Sequence, residues 1–167
     1  MVILVVFAFA CGDDDDSNGN NPPTTEEMLV GTWTTSTSTI TTMVGDKSLT
    51  DYLIEDLGQS ETDAANVVAV IEGELADAVD GSLTLNADNT YSSQFAGDPD
   101  SGTWSLSTDE TTLTLNDGIE SANLTVNLVT ETVLDVTIED TISQDLDDDE
   151  LTPEEEIEVA ADVTLTK

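Results

Sequence analysis

The stretch Ser82-Leu83-Thr84-Leu85-Asn86-Ala87-Asp88-Asn89-Thr90-Tyr91 reads as a strand, a polar turn and the start of a second strand. Leu83 and Leu85 alternate with hydroxyl side chains, and Tyr91, Ser93 and Phe95 continue the alternation after the turn. Successive side chains of a strand face opposite sides of a sheet, so each of these strands has one face to bury and one to wet. Asn and Asp hydrogen-bond to nearby backbone and tolerate left-handed conformations, which suits Asn86 to Asn89 to a tight reversal.

Toward the C-terminus the period of two persists. Gly97-Asp98-Pro99-Asp100 reads as the next turn, Trp104 and Leu106 as a strand, and Thr108-Asp109-Glu110 as a hairpin onto Leu113 and Leu115. Leu124, Val126 and Leu128 follow, then Leu134, Val136 and Ile138, and last Ile157, Val159, Ala161, Val163 and Leu165. Toward the N-terminus, residues 34–44 are almost all Thr and Ser with Ile40 and Met43, β-branched enough for one long strand. Trp33 and Ile40 fall on opposite parities, which requires a bulge or bend between them. Thr25 ahead of Glu26-Glu27-Met28-Leu29 suggests a capped helical turn. Together these make an antiparallel meander of about eight strands, a pattern that fits a closed barrel or a sandwich.

Residues 48–79 interrupt the pattern. Ser48 caps a short helix with Leu49, Tyr52, Leu53 and Leu57 on one face, and Gly58 ends it. A second helix starts near Ser60 and sets Ala64, Val68, Ile71, Leu75 and Val79 at spacings of four and three. Each helix has one apolar side, so the pair needs something to cover.

Two words then carry a family resemblance. Gly31-Thr32-Trp33 at the first long strand resembles the Gly-x-Trp signature of lipocalins. The run from Ser82 to Tyr91, with Ser101-Gly102-Thr103-Trp104-Ser105 and Leu113-Thr114-Leu115, looks like the lipocalin-like domains of bacterial surface lipoproteins. The resemblance implies a lipocalin-like antiparallel β-barrel with Trp33 plugging its closed end and Gly31, Gly102 and Trp104 as structural signature residues. It also implies a basic side chain laid across the tryptophan, for which Lys167 is the late candidate by cation-π contact. The helix pair sits where fatty-acid-binding proteins carry theirs, a likeness of position only.

The head of the chain is of a different kind. Val2 to Ala10 are all apolar, too few for the roughly 20 residues of a spanning helix but enough for the hydrophobic region of a secretory signal. Cys11 follows with Ala8 and Ala10 before it, and this looks like a bacterial lipoprotein signal, with Cys11 as the lipidated residue. A basic leader is expected ahead of it, so the true start is expected upstream of Met1. Asp13 to Asp16 and the polar, proline-ended run to Pro23 form a tether. Acidic runs after the lipidated cysteine resemble signals for the outer face of an outer membrane; a periplasm-facing lipoprotein is the alternative. The expected organisation is therefore a signal segment over 1–11, a tether over 12–24 and one barrel domain over 25–167, with the helical insertion at 48–79.

Charge limits function. The chain carries 37 acidic residues, two basic ones, no histidine and a net charge of −35, so nucleic acid and anionic bilayer surfaces are excluded as direct partners. Membrane attachment must come through the lipid, and self-repulsion favours a monomer. Lacking histidine and with Cys11 committed to lipid, the chain has no imidazole base and no thiol nucleophile, so an enzyme is not expected. A carboxylate pair for glycoside hydrolysis stays as a distant alternative. Asp145, Asp147, Asp149, Leu151 and Glu156 resemble the first, third, fifth, seventh and twelfth positions of an EF-hand calcium loop. Thr152, Pro153 and Glu155 would then cap a short helical turn. The competing reading is a solvated acidic loop between the last two strands, and the competing function is a calcium-stabilised β-sandwich adhesion or structural domain. Since a buried ligand carboxylate needs a cation and the chain has only Lys47 and Lys167, any guest of an open barrel is expected to be neutral and apolar. A barrel filled by its own side chains, or a surface interaction module, are the other possibilities.

Overall fold

The computed structural model describes residues 22–146 and 155–167. Cys11 and most of the tether lie outside the described residues, as do Asp147, Asp149 and Leu151. The described chain runs α1 (Thr25–Leu29), β1 (Gly31–Val44), β2 (Lys47–Ser48), α2 (Leu49–Glu55), α3 (Glu61–Ala78), β3 (Gly81–Leu85), β4 (Thr90–Phe95), β5 (Asp98–Leu106), β6 (Thr112–Asn116), β7 (Ser121–Val129), β8 (Val133–Gln144) and β9 (Glu155–Thr166). From β3 to β9 each strand pairs antiparallel with the next, β1 pairs with β3, and β9 returns to pair with β1. The result is a closed eight-stranded antiparallel barrel, with β2 only a two-residue ribbon on the end of β1. Closure removes the sandwich alternative, because neither β1 nor β9 is left as an edge.

β1, β8 and β9 outrun the other strands, and their extra length extends the three-stranded ladder beyond one end of the barrel. On β9 the buried residues Ile157, Val159, Ala161, Val163 and Leu165 share one face. Its lower part, Ala161 to Leu165, belongs to the barrel core with Trp33, Leu83, Leu85, Trp104, Leu113 and Leu134. Its upper part, Ile157 and Val159, belongs to a second core with Leu49, Leu53 and Ala64. The helix pair thus rests on the inward face of the extension, over one side of the barrel's upper end.

Local sequence accounts for these elements. Ser48 and Ser60 cap α2 and α3 through their side-chain oxygens, which accept from the backbone N–H of Asp51 and Asp63. Tying the end of α3 down, Thr35 Oγ1 donates to the Val79 carbonyl at 2.8 Å. The bulge required between Trp33 and Ile40 falls between Thr35 and Thr37. Four local expectations need correction. The cap of α1 is Thr24, which exchanges bonds with Glu27 in a capping box, one residue before Thr25. The turn between β4 and β5 is Ala96-Gly97, both at positive φ, while Asp98, Pro99 and Asp100 already belong to β5. Leu128 is 47% exposed because a bulge between Val126 and Leu128 turns it outward. Glu155 opens strand β9, where a helical turn was expected, since Glu155 and Glu156 continue the β8 ladder opposite Gln144 and Ser143.

Candidate ligand cavity

One end of the barrel is shut. Trp33 is fully buried and its Nε1 donates to the Leu29 carbonyl at 2.7 Å, so α1 is fastened beneath the first strand as a plug. Lys167 Nζ lies 4.2 Å from the Trp33 ring centroid and donates to the carbonyls of Met28 at 2.6 Å and Val30 at 2.9 Å. Burial pulls the Lys167 pKa below the ordinary lysine value, with Glu131 opposing it. Gly31 is glycine for two reasons: its φ is +143, and a Cβ there would stand 2.7 Å from Lys167 Cε. Gly102 answers to a different constraint, since its Cβ would come within 2.0 Å of the Asn116 carbonyl oxygen. Trp104 belongs to the same shut end and donates through Nε1 to the Asn86 carbonyl at 3.0 Å. Gly31, Trp33 and Trp104 thus lie at the shut end with Lys167 across Trp33, whereas Gly102 packs against the end of β6.

Above the plug the barrel is not filled. A cavity of about 340 Å³ has walls of Leu83, Leu115, Leu124, Val136, Val163 and Leu165, with Phe95 and the last residues of α3 nearer the top. That volume falls within the roughly 300–1,000 Å³ typical of small-molecule sites. Exposed residues Asp100, Asp117 and Glu120 also line it, so it reaches solvent between the β4–β5 and β6–β7 turns.

The polar groups at this mouth are held in place. Tyr91 donates through its hydroxyl to Asp100 Oδ2 at 2.5 Å, and Asp100 Oδ1 accepts from the Ser101 N–H at 2.7 Å. Burial, and after it the bond to Asp100, push the Tyr91 pKa well above its usual value, so the hydroxyl stays protonated. Asp117 Oδ1 accepts from the N–H groups of Ile119 and Glu120, each at 2.7 Å, and these bonds hold its carboxyl below the usual range. No cation lines the cavity. Lys47, one of the two in the chain, is paired with Glu55 and Asp56 beside α2, and the other is Lys167 at the shut end.

The acidic loop residues divide. Glu156 is exposed on β9 opposite Ser143, and Asp145 directly follows β8, while Asp147, Asp149 and Leu151 lie outside the described residues. The neighbouring Glu155 points the other way, accepting from Leu146 N–H at 3.2 Å and from the Tyr52 hydroxyl at 3.3 Å. The sequence points to the Lys167–Trp33 contact but does not single out Tyr91, Asp100, Asp117 and Glu120 as a group at one opening. Among 37 acids nothing in their spacing marks these three, and only the barrel's shear brings two separate turns to one opening. No protein-family model matches the chain, and no curated protein matches it.

Proposed function

We propose that this chain is a non-enzymatic, lipid-anchored binding module of lipocalin-like architecture whose barrel holds a small molecule with an apolar body. The observation that carries this reading is the cavity of about 340 Å³, walled mostly by apolar side chains above the Trp33 plug. Burying an apolar guest there gains about 25 cal/mol per Å² removed from water. Anchoring through Cys11 rests on the sequence, where the apolar run, the cysteine and the acidic tether follow one another. A barrel carried on such a tether would stand off an outer membrane, facing the exterior.

The neutral fluorophore 1-N-phenylnaphthylamine tests the cavity. The protein should enhance its emission saturably, and Ser93→Trp, which fills the space from β4, should weaken binding about tenfold or more while leaving the melting temperature nearly unchanged. No enhancement, or the same titration with the variant, would sink the reading. For the anchor, cells expressing the protein and fed a clickable fatty acid should label it, and Cys11→Ser should abolish the label.

A further inference from the structure

The cavity is amphipathic along its length, and this specifies one end of its guest. Its floor and walls are aliphatic, from Leu83 and Leu165 up to Leu124 and Val136. Its mouth carries three carboxylates, Asp100, Asp117 and Glu120, with the Tyr91 hydroxyl bonded to the first. Both lysines of the chain are engaged elsewhere, so no protein cation neutralises this rim. The Asp117 carboxylate is fixed by two backbone donors, so it is oriented before any ligand arrives. Resting on the reading of the cavity as a ligand site, we propose that the preferred guest is an amphiphile with a protonated amine at its head, tail in the barrel and ammonium at the mouth.

The chemistry favours this class over its neighbours. An alkylammonium offers three donors and no acceptor, which matches a rim of acceptors. A guest with a carboxylate head would meet three like charges at the opening and no donor to replace its water. Among the described residues no three acidic side chains come close enough together to hold a metal ion, so these carboxylates act on the head through the charge of the rim and not as a set converging on one atom. A neutral guest of the same length would gain the wall contacts alone.

Displacement of 1-N-phenylnaphthylamine from the full-length protein by decylamine, decan-1-ol and decanoate, at about 0.15 M salt to screen the distant charges, reads the preference. Decylamine should bind about tenfold or more tighter than decan-1-ol, and decanoate weakest. In D100N/D117N/E120Q the amine preference should collapse to within about twofold while decan-1-ol binds as before. D100N/E120Q leaves the Asp117 turn untouched and should lose most of the preference, which guards against a variant that folds poorly. The control E139Q/D140N/E158Q removes the same charge from exposed positions on β8 and β9 and should keep the preference. Equal binding of amine and alcohol, or a preference that survives the mouth variants, would overturn the inference and leave the cavity reading standing. Failure of both the probe and decan-1-ol to bind would overturn the two together.

Discussion

Lys167 shows how much a single side chain carries where cations are scarce. It closes the barrel by spanning two carbonyls of the α1 plug and the Trp33 ring. Lys167→Met keeps the stem and removes the charge; it should cost about 1–3 kcal/mol in chemical denaturation, the range for a lost charged hydrogen bond with a cation-π contact. Gly102→Ala should cost about 1–3 kcal/mol, since the added carbon meets backbone, which moves less readily than a side chain. Ala96 bears the opposite strain: it sits at φ +49 in a two-residue turn, where an L-residue other than Asn or Gly is disfavoured. Ala96→Asn should therefore raise stability by about 0.5–1 kcal/mol, read from the denaturation midpoint. Alanine gives no turn signal, whereas Gly97-Asp98-Pro99-Asp100 gives a strong one, so the sequence points to a turn later than Ala96-Gly97 although the strands on either side are legible.

At the scale of elements, the alternation from Leu83 onward made the meander readable, and the serine caps made both long helices readable. What alternation does not show is where a bulge reverses it: Leu128 follows Leu124 and Val126 in parity yet faces solvent. Nor does it show that β9 serves two cores. Leu53 is fully buried in the helix-pair core, so Leu53→Ala should cost about 2–5 kcal/mol. Hydrogen exchange should then quicken in α2 and α3 while β3 to β7 stay protected, because none of β3 to β7 contributes to the helix-pair core. The hairpin turns predict a pH dependence. Asp88, Asp109 and Asp117 are each held below the ordinary carboxylate value, foremost by the Thr90 and Ser107 side chains and the Glu120 backbone N–H respectively. A depressed folded-state pKa stabilises above the unfolded value of 3.8 and loses that stabilisation as pH falls through the folded value. The melting temperature of Asp109→Asn should thus lie below that of the unchanged protein at pH 7, and the gap should close as pH falls below 3.8 and through the depressed folded value.

The whole molecule is a small closed barrel under strong self-repulsion. With a net charge of −35, screening should stabilise it: taking sodium chloride from about 0.01 to 1 M shortens the Debye length from about 30 to 3 Å and should raise the melting temperature progressively. The same excess of acid leaves the cavity walls apolar and its rim negative, a combination visible only once the strands close. The central claim is that this interior is open and takes a guest. Methyl-resolved NMR of the protein titrated with 1-N-phenylnaphthylamine tests that directly. The account predicts shifts concentrated at Leu83, Leu115, Leu124, Val136 and Val163, with Leu49, Leu53 and Val159 of the helix-pair core unmoved. Shifts confined to the helix-pair core or the outer surface, or none at saturating probe, would contradict it.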